Sequence, residues 1–549
     1  MPDIYKKEWA LNPGNLNSFE LIKLNTDGLD ILEKLNVFKK RGFTSISDEE
    51  KDLLKWAGIY IQRPRSEGYF MMRVKIPFGV MTSSQARILA SISRDYARSI
   101  LDITTRQSVQ FHWLSIEDIP SILNGLTSVG LSSVEACGDC PRNIIGNPLA
   151  GIDPNEILDT REIQQEVQNF FQGNRDFSNL PRKFKISISA NIFDTGYAAI
   201  NDMSFTPASK FIDNEVVKGF HVYVGGGLSA KPHLAKRLDV FLRPDEILKV
   251  TIGVATLFRD FGYRQNRQHA RLKFLVADWG SVKFKQELEK LVGPLLTSGD
   301  DLTSDWNAGY FNGIHQQKQP GFHYFGLSVP LGRLSANNLI ELADLTDKYG
   351  DGMIRTTNSQ NIIIAGIPDS HAMSFLREPL LRVLTPFPKT FKTHTISCAG
   401  KEFCNFAIVE TKKYAQQLSH YLDETLNTDD PIRIHVTGCP NSCGQVQLAD
   451  IGLRGIKTKK AGQIIEGFEL QIGGILGPEP QFSTNLKGFI PADIVHLVLE
   501  HLILYYRVHR KDSESFHIFI NRVGVETFQT ILNDFLDSVF NLKEPRYGS

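Results

Sequence analysis

The sequence predicts an α+β chain that is internally duplicated, with approximate pseudo-two-fold symmetry between its copies. Three repeats carry that prediction. Thr357-Asn-Ser-Gln-Asn-Ile-Ile-Ile parallels Thr104-Thr-Arg-Gln-Ser-Val-Gln-Phe. The strand-like Gly321–Pro330 repeats the plan of Gly68–Pro77. Gly219-Phe-His-Val-Tyr-Val-Gly-Gly226 matches Gly467-Phe-Glu-Leu-Gln-Ile-Gly-Gly474. A chain of 549 residues exceeds one hydrophobic core, and its length suggests three or four domains.

The elements follow in order. Residues 1–64 are polar and helix-leaning, with spaced Leu and Ile, and we expect an N-terminal wrapping segment with no chemistry of its own. In residues 65–132, Gly68–Pro77 alternates as a strand and Ser83–Ser99 has helical apolar spacing. Asp102–His112 is a second strand and Ile116–Val129 a second helix. Residues 133–312 form a larger α/β module whose Gly219–Gly226 strand precedes a helix at Pro244–Phe261. Residues 313–388 repeat the half-domain, with a helix over Ala336–Tyr349. Residues 389–549 repeat the larger module, with a helix over Pro491–Tyr506. Aligning Lys185-Ile-Ser-Ile-Ser with Arg433-Ile-His-Val-Thr sets Asn191 and Thr195 opposite Cys439 and Cys443.

Composition excludes several classes. Lys+Arg and Asp+Glu both number 61, so no overall field favours nucleic acid or an anionic membrane. No run of 18 apolar residues occurs, and the N-terminal residues lack a signal-peptide core, so cytoplasm is the expected location. Six cysteines in 549 residues make no disulfide framework. Walker and Rossmann fingerprints are absent, which leaves no nucleotide or flavin site of the chain's own.

Four of the six cysteines form two pairs, Cys398-Ala-Gly-Lys-Glu-Phe-Cys404 and Cys439-Pro-Asn-Ser-Cys443. Gathered thiolates suit a soft metal centre, either an iron–sulfur cluster or a tetrahedral zinc. Only the second pair has the spacing of a zinc knuckle. Inert buried cysteines are the bland alternative.

The wording Thr437-Gly-Cys-Pro-Asn-Ser-Cys-Gly444, after Ser397-Cys398 and Phe403-Cys404, resembles the cluster motif of the sirohaem-dependent sulfite and nitrite reductases. That resemblance runs from about Tyr69 to the C-terminus. It implies two ferredoxin-like half-domains and two mixed α/β sirohaem/cluster modules, of which the first lacks cluster cysteines. It also implies a [4Fe–4S] cluster on Cys398, Cys404, Cys439 and Cys443, with Cys443 bridging to the iron of a sirohaem. Arg73, Arg142, Lys183 and Lys185 match the residues that surround the substrate, and Arg106 one that pairs with the cofactor's carboxylates. Spacing agrees in part, since Lys183 and Lys185 share a strand face, as do Arg73 and Lys75. Gly225, Gly226 and Gly227 are candidates for presenting backbone N–H groups to a carboxylate, or for chain geometry alone.

The resemblance further implies reduced ferredoxin as electron donor and a monomeric chain. Lys185 stands where the family's nitrite reductases usually carry Asn and its sulfite reductases Lys. The Cys137-Gly-Asp-Cys-Pro-Arg142 wording is similar to sulfite reductases with a tyrosine–cysteine thioether, which Tyr69 and Cys137 would form. Gly146–Pro154 and Val409–Lys412 are instead shared with assimilatory nitrite reductases. We therefore expect six-electron reduction of sulfite to sulfide, with nitrite to ammonia as the alternative. An iron–sulfur electron-transfer protein without sirohaem is the alternative of another class.

Overall fold

The computed structural model describes residues 13–460 and 463–543, and the chain divides into two compact units. The first comprises Met1–Gly227 with Pro232–Pro386, the second Leu228–Lys231 with Phe387–Ser549. Among the described residues, no helix is long and apolar enough to cross a membrane.

Two five-stranded antiparallel sheets organise the two half-domains of the first unit. Along Phe70–Val74 the buried residues alternate with half-buried Met71 and Arg73, so one face packs the core and the other presents the arginine. This sheet runs Ile59–Ile61, Phe70–Val74, Val109–Leu114, Ile100–Ile103, Arg333–Ser335. The second runs Gly313–Gln316, Phe322–Leu327, Ile362–Pro368, Met353–Thr356, Val80–Thr82. Each sheet thus ends on a strand from the other copy, with Arg333 opposite Asp102 and Met353 opposite Thr82.

Reciprocal contacts lock that exchange. Gln107 Nε2 donates to the Thr356 carbonyl at 3.2 Å, and Gln360 Nε2 to the Ile103 carbonyl at 2.9 Å. At Gly79 and Gly332, both at positive φ, a Cβ would lie 2.4 Å from the Thr356 oxygen and 2.7 Å from the Ile103 oxygen. The half-domains looked separable in sequence because the exchanged strands are three residues each, too short for a two-residue period to show.

The larger modules share one topology. In the first, the sheet order is Lys236–Leu242, Glu215–Val224, Met203–Ile212, Ile186–Ile188, Ile145–Gly146. In the second it is Thr395–Ser397, Ile434–Thr437, Ile451–Lys460, Gln463–Ile472, Thr484–Asn485. Both join short parallel strands to a long antiparallel hairpin. Equivalent contacts fix the alignment: Lys185 N donates to Asp202 Oδ2 and Arg433 N to Asp450 Oδ2, each at 2.9 Å. The same offset places Asn191 and Thr195 at the positions of Cys439 and Cys443.

A closed polar network fills that place in the first module. Asn191 bonds Asp153, and Thr195 Oγ1 lies 2.6 Å from Ser189 Oγ. Neighbouring Asp194 is buried, and desolvation lifts its carboxyl to about 6, although the backbone N–H groups of Ala198 and Tyr197 oppose the shift. A raised carboxyl stabilises the fold below its unfolded value and loses that contribution as pH rises through the folded one. Relative to an Asp194→Asn variant, the wild type should lose about 3 kcal/mol between roughly pH 3.5 and pH 6.5, measured by urea unfolding.

The N-terminal segment does more than wrap. Its helices Ser18–Asn25 and Ile31–Arg41 bury Phe19, Leu35 and Phe38 against the half-domain core, and Trp56 Nε1 donates to the Ser178 carbonyl at 2.6 Å. It also delivers charge to the loop Cys137–Arg142. Asp139, fully buried, holds Lys23 at 2.8 Å, Arg267 at 2.7 Å and Arg182 at 3.0 Å, while Glu20 bonds Lys23 and Arg264. These cations outweigh desolvation and keep the Asp139 carboxyl well below its usual range. Asp139→Asn strands three cations around a neutral amide and should cost about 3–5 kcal/mol, seen as a lower urea midpoint at neutral pH.

Candidate functional site

In the first unit, Arg73 and Arg142 converge on one acceptor. Arg142 NH1 donates to the Ala136 carbonyl at 3.1 Å and Arg73 NH1 to the same oxygen at 3.4 Å. Arg142 also bonds the Gly138 carbonyl, and Arg73 is steadied by Gln110 Oε1 at 2.8 Å. The loop therefore curls its carbonyls toward both guanidinia and fixes their direction.

Arg106 lies in the same field. It donates to Asn201 Oδ1 at 2.6 Å and to the Asn143 carbonyl at 2.9 Å, but its buried Nε has no partner. Burial, with Arg142, Arg271 and Arg73 nearby, presses its guanidinium to about 9, against the pull of Asp202. A guanidinium keeps its proton in proteins, so the shift measures how strongly this place favours an anion.

Lys183 and Lys185 follow Pro181 at the entry to the strand Ile186–Ile188. In the second module Arg433 forms a bidentate pair with its own Asp450, at 2.7 and 2.8 Å. Lys185 stands at that position, but its aspartate, Asp202, is taken by Arg271 at 2.7 Å. The Lys185 side chain is thus released from the structural ion pair. Desolvation, then Arg106, Lys183 and Arg271, push its amine well below the usual lysine range. The structure therefore brings Arg73, Arg106, Arg142, Lys183 and Lys185 into one electrostatic neighbourhood, where an anion rich in carboxylates would relieve the repulsion.

Sequence reasoning missed Arg271 and Lys273, which flank the start of the helix Leu272–Val292. Burial and Arg271 bring the Lys273 amine down to about 8. The Arg-x-Lys spacing repeats that of Lys183 and Lys185, which is the signal that could have found them.

Two expectations need correction. The N–H groups of Gly225, Gly226 and Gly227 donate to the carbonyls of Asp202, Asn201 and His233, each at 2.9 Å, so none is available to a carboxylate. Gly473 and Gly474 make the equivalent bonds to Asp450 and Ala449, which identifies the glycine turn as chain geometry common to both modules. A Cβ at Gly226 would lie 2.5 Å from the Ala199 oxygen. The second correction concerns Tyr69. Cys137 Sγ lies 3.4 Å from Arg73 NH1 and 3.8 Å from the Gly58 carbonyl, and Arg73 N donates to that same carbonyl. Tyr69 is four residues along the strand from Arg73, roughly 13 Å away, and its ring packs beside Arg98. Tyr60 is two residues from Gly58, and its phenol, raised first by burial and then by Cys137, is in electrostatic contact with the thiol.

In the second unit the four thiols sit on two loops at the ends of parallel strands. Cys398 follows Thr395–Ser397, Cys404 closes the short helix Gly400–Phe403, and Cys439 and Cys443 follow Ile434–Thr437. Backbone N–H groups aim at the sulfurs: Gly438 N donates to Cys398 Sγ at 3.3 Å, Phe406 and Ala407 face Cys404, and Asn441 faces Cys439. Gly438 is required there, because a Cβ would sit 3.0 Å from that of Ala407. Burial, then the neighbouring Cys443, pushes the Cys404 thiol up to about 11; burial lifts Cys439 to about 12 against the Asn441 N–H. Such thiols ionise only against strong positive charge, which ligated iron supplies.

Among the described residues, no three Cys, His, Asp or Glu side chains close on a single-ion point. Four thiols in mutual electrostatic contact, three of them facing backbone N–H donors, suit a cluster with several irons. Cys443 is the exposed member of the quartet.

A duplicated scaffold with one thiol quartet and one nest of buried cations defines a redox protein that carries an iron–sulfur cluster and receives anions. Comparisons with known proteins agree. The family model for the nitrite and sulphite reductase 4Fe-4S domain matches residues 137–294 and again 390–537. That for the nitrite/sulfite reductase ferredoxin-like half domain matches 62–129 and 315–381. The ferredoxin–nitrite reductase of Synechococcus elongatus is 39% identical over 89% of this chain and 96% of its own length. The assimilatory ferredoxin-dependent nitrite reductase of Haloferax mediterranei is 38% identical over 90% of this chain and 89% of its own. The solved structure of the Mycobacterium tuberculosis NirA protein superposes with a TM-score of 0.88 at 33% identity, covering 95% of this chain and 99% of that one.

The chain belongs to the nitrite/sulfite reductase family and is an oxidoreductase. Its cofactors are sirohaem and a [4Fe–4S] cluster, as the sequence led us to expect. The expectation of sulfite as substrate is overturned, because the relatives at 38–39% identity across the chain are ferredoxin–nitrite reductases. It rested on Lys185 as a second full charge for an anion carrying two. Burial and the neighbouring Arg106 and Lys183 depress the Lys185 amine, an effect that counting charge by residue type leaves out.

Proposed function

We propose that this protein reduces nitrite to ammonium with electrons from reduced ferredoxin. The observation that carries the proposal is the identity, over nine-tenths of the chain, with ferredoxin-dependent nitrite reductases. The reaction takes up six electrons and eight protons per nitrite and releases two waters.

Arg73, Arg142, Lys183 and Lys185 neutralise the entering anion and hold donors toward oxygens as these are protonated. Arg106, with its unpartnered Nε, would receive a carboxylate of the sirohaem. Cys398, Cys404, Cys439 and Cys443 hold the cluster, and exposure of Cys443 suits it to serve a second iron. When bound, the cofactors would supply one-electron transfer and a Lewis-acidic iron. What the protein contributes is fixed donors: guanidinia already aimed by loop carbonyls need no reorganisation when charge develops.

The test is kcat/KM for nitrite and for sulfite, measured on the same preparation with reduced ferredoxin. Nitrite should be preferred by at least about tenfold, a difference of roughly 1.4 kcal/mol at the transition state. Equal or better use of sulfite would refute the proposal.

A further inference from the structure

Behind the Arg73–Arg142 pair lies an acid with no assigned role. Glu135 precedes Ala136, whose carbonyl both guanidinia hold. Its side chain is fully buried. Its Oε2 accepts from the Gly173 N–H at 2.7 Å, whereas its Oε1 is buried without any partner. Its backbone N donates to the Trp56 carbonyl at 2.7 Å, and its φ of +59° is one that residues other than glycine seldom adopt. The loop thus accepts backbone strain and an unmatched polar atom to keep this carboxyl in place.

Its surroundings point two ways. Gly173 is exposed, and nothing stands within 4 Å of where its Cβ would be, so Oε2 is one hydrogen bond from solvent. Lys75, two residues beyond Arg73, donates to Gln172 Oε1 at 3.1 Å, the residue next to Gly173. The acid and the ammonium are therefore tied to the same dipeptide, Gln172-Gly173.

We propose that Glu135 is the proton store of this site: a buried carboxylic acid that loads at the Gly173 surface and yields its proton, alongside Lys75, to the cationic constellation. The proposal rests on the reading of the protein as a nitrite reductase, whose turnover takes up eight protons in a site whose arginines do not release theirs. Each transfer leaves a carboxylate beside the Lys75 ammonium, and a proton from solvent restores the acid.

The electrostatics agree. Burial raises the Glu135 carboxyl and Asp27 adds to the shift, against Lys75 and the Gly173 N–H. Burial lowers the Lys75 amine, with Arg142 adding to that and Glu135, Cys140 and Cys137 opposing it. Asp139 is the remaining charged group of the loop, and it is saturated by its own cations. Activity that needs the acid form is present below the raised value and is lost as pH rises through it.

Glu135→Gln keeps the shape and the Gly173 bond but carries no transferable proton. In difference infrared spectra of the holoenzyme at neutral pH, the wild type should show a carboxylic-acid carbonyl band that shifts in heavy water and is absent from Glu135→Gln. The variant should lose at least about tenfold in kcat for nitrite with KM little changed, and its kcat should no longer fall along the alkaline limb. Glu135→Asp should recover part of the rate. A wild type without the band, or a variant with the wild-type rate and pH profile, would overturn the proposal. Failure of the wild type itself to reduce nitrite would instead refute the functional reading, and the infrared band would still report whether Glu135 holds a proton.

Discussion

Replacing Cys443 by serine is expected to reduce ferredoxin-driven nitrite turnover by roughly a thousandfold or more, about 4 kcal/mol of barrier. The reason lies in how the four sulfurs differ. Cys439 is buried, Cys398 and Cys404 are half-buried, and Cys443 is exposed. A thiolate enclosed by the fold serves one iron; an exposed one can serve two. Cys439→Ser and Cys443→Ser should therefore fail differently. The first should lower iron content, because an inner ligand with its Asn441 N–H contact is lost. The second should retain more cluster iron while losing the coupling between the cluster and the sirohaem, read as a changed visible spectrum. Full turnover by Cys443→Ser would exclude a shared thiolate at this position.

The second large effect is expected at Lys183. Lys183→Met removes one cation from a group whose members already repel one another, so the fold should tolerate it. Lys185, freed of one like-charged neighbour, should become a stronger base, since Lys183 is among the groups that hold its amine down. Nitrite reduction should nevertheless fall about 10²–10³-fold in kcat at saturating ferredoxin, the usual consequence of deleting one preorganised donor to developing negative charge. The loss should appear in kcat more than in KM, because the oxygens gain charge after the anion is bound. Undiminished turnover would remove Lys183 from the site.

Much of this was legible in the sequence, for identifiable reasons. The cysteine quartet is readable because thiol spacing is set by ligand chemistry more than by the surrounding fold. The duplication is readable because both copies keep strands long enough to show a period, such as Glu215–Val224 and Gln463–Ile472. The offset that sets Asn191 and Thr195 against Cys439 and Cys443 follows from the same repeat. What escaped was information that exists only in three dimensions. The exchange of Val80–Thr82 and Arg333–Ser335 between sheets leaves no local mark. Asp139 reads as one acidic residue in a loop, and its partners lie up to 128 positions away. Tyr69 was named, and Tyr60 not considered, because strand register is invisible without the pairing of Tyr60 with Met71. Lys185 misled on substrate because charge was counted from residue type, whereas burial beside Arg106 and Lys183 depresses its amine.

The central claim is that the buried cations and the thiol quartet serve one six-electron reduction of nitrite. The most direct measurement is the ratio of ferredoxin oxidised to ammonium formed, followed to completion with limiting nitrite. Nitrogen going from +3 to −3 predicts six one-electron ferredoxins per ammonium, with no nitrogen intermediate released. A lower ratio with accumulation of nitric oxide or hydroxylamine, or no ammonium at all, would contradict it.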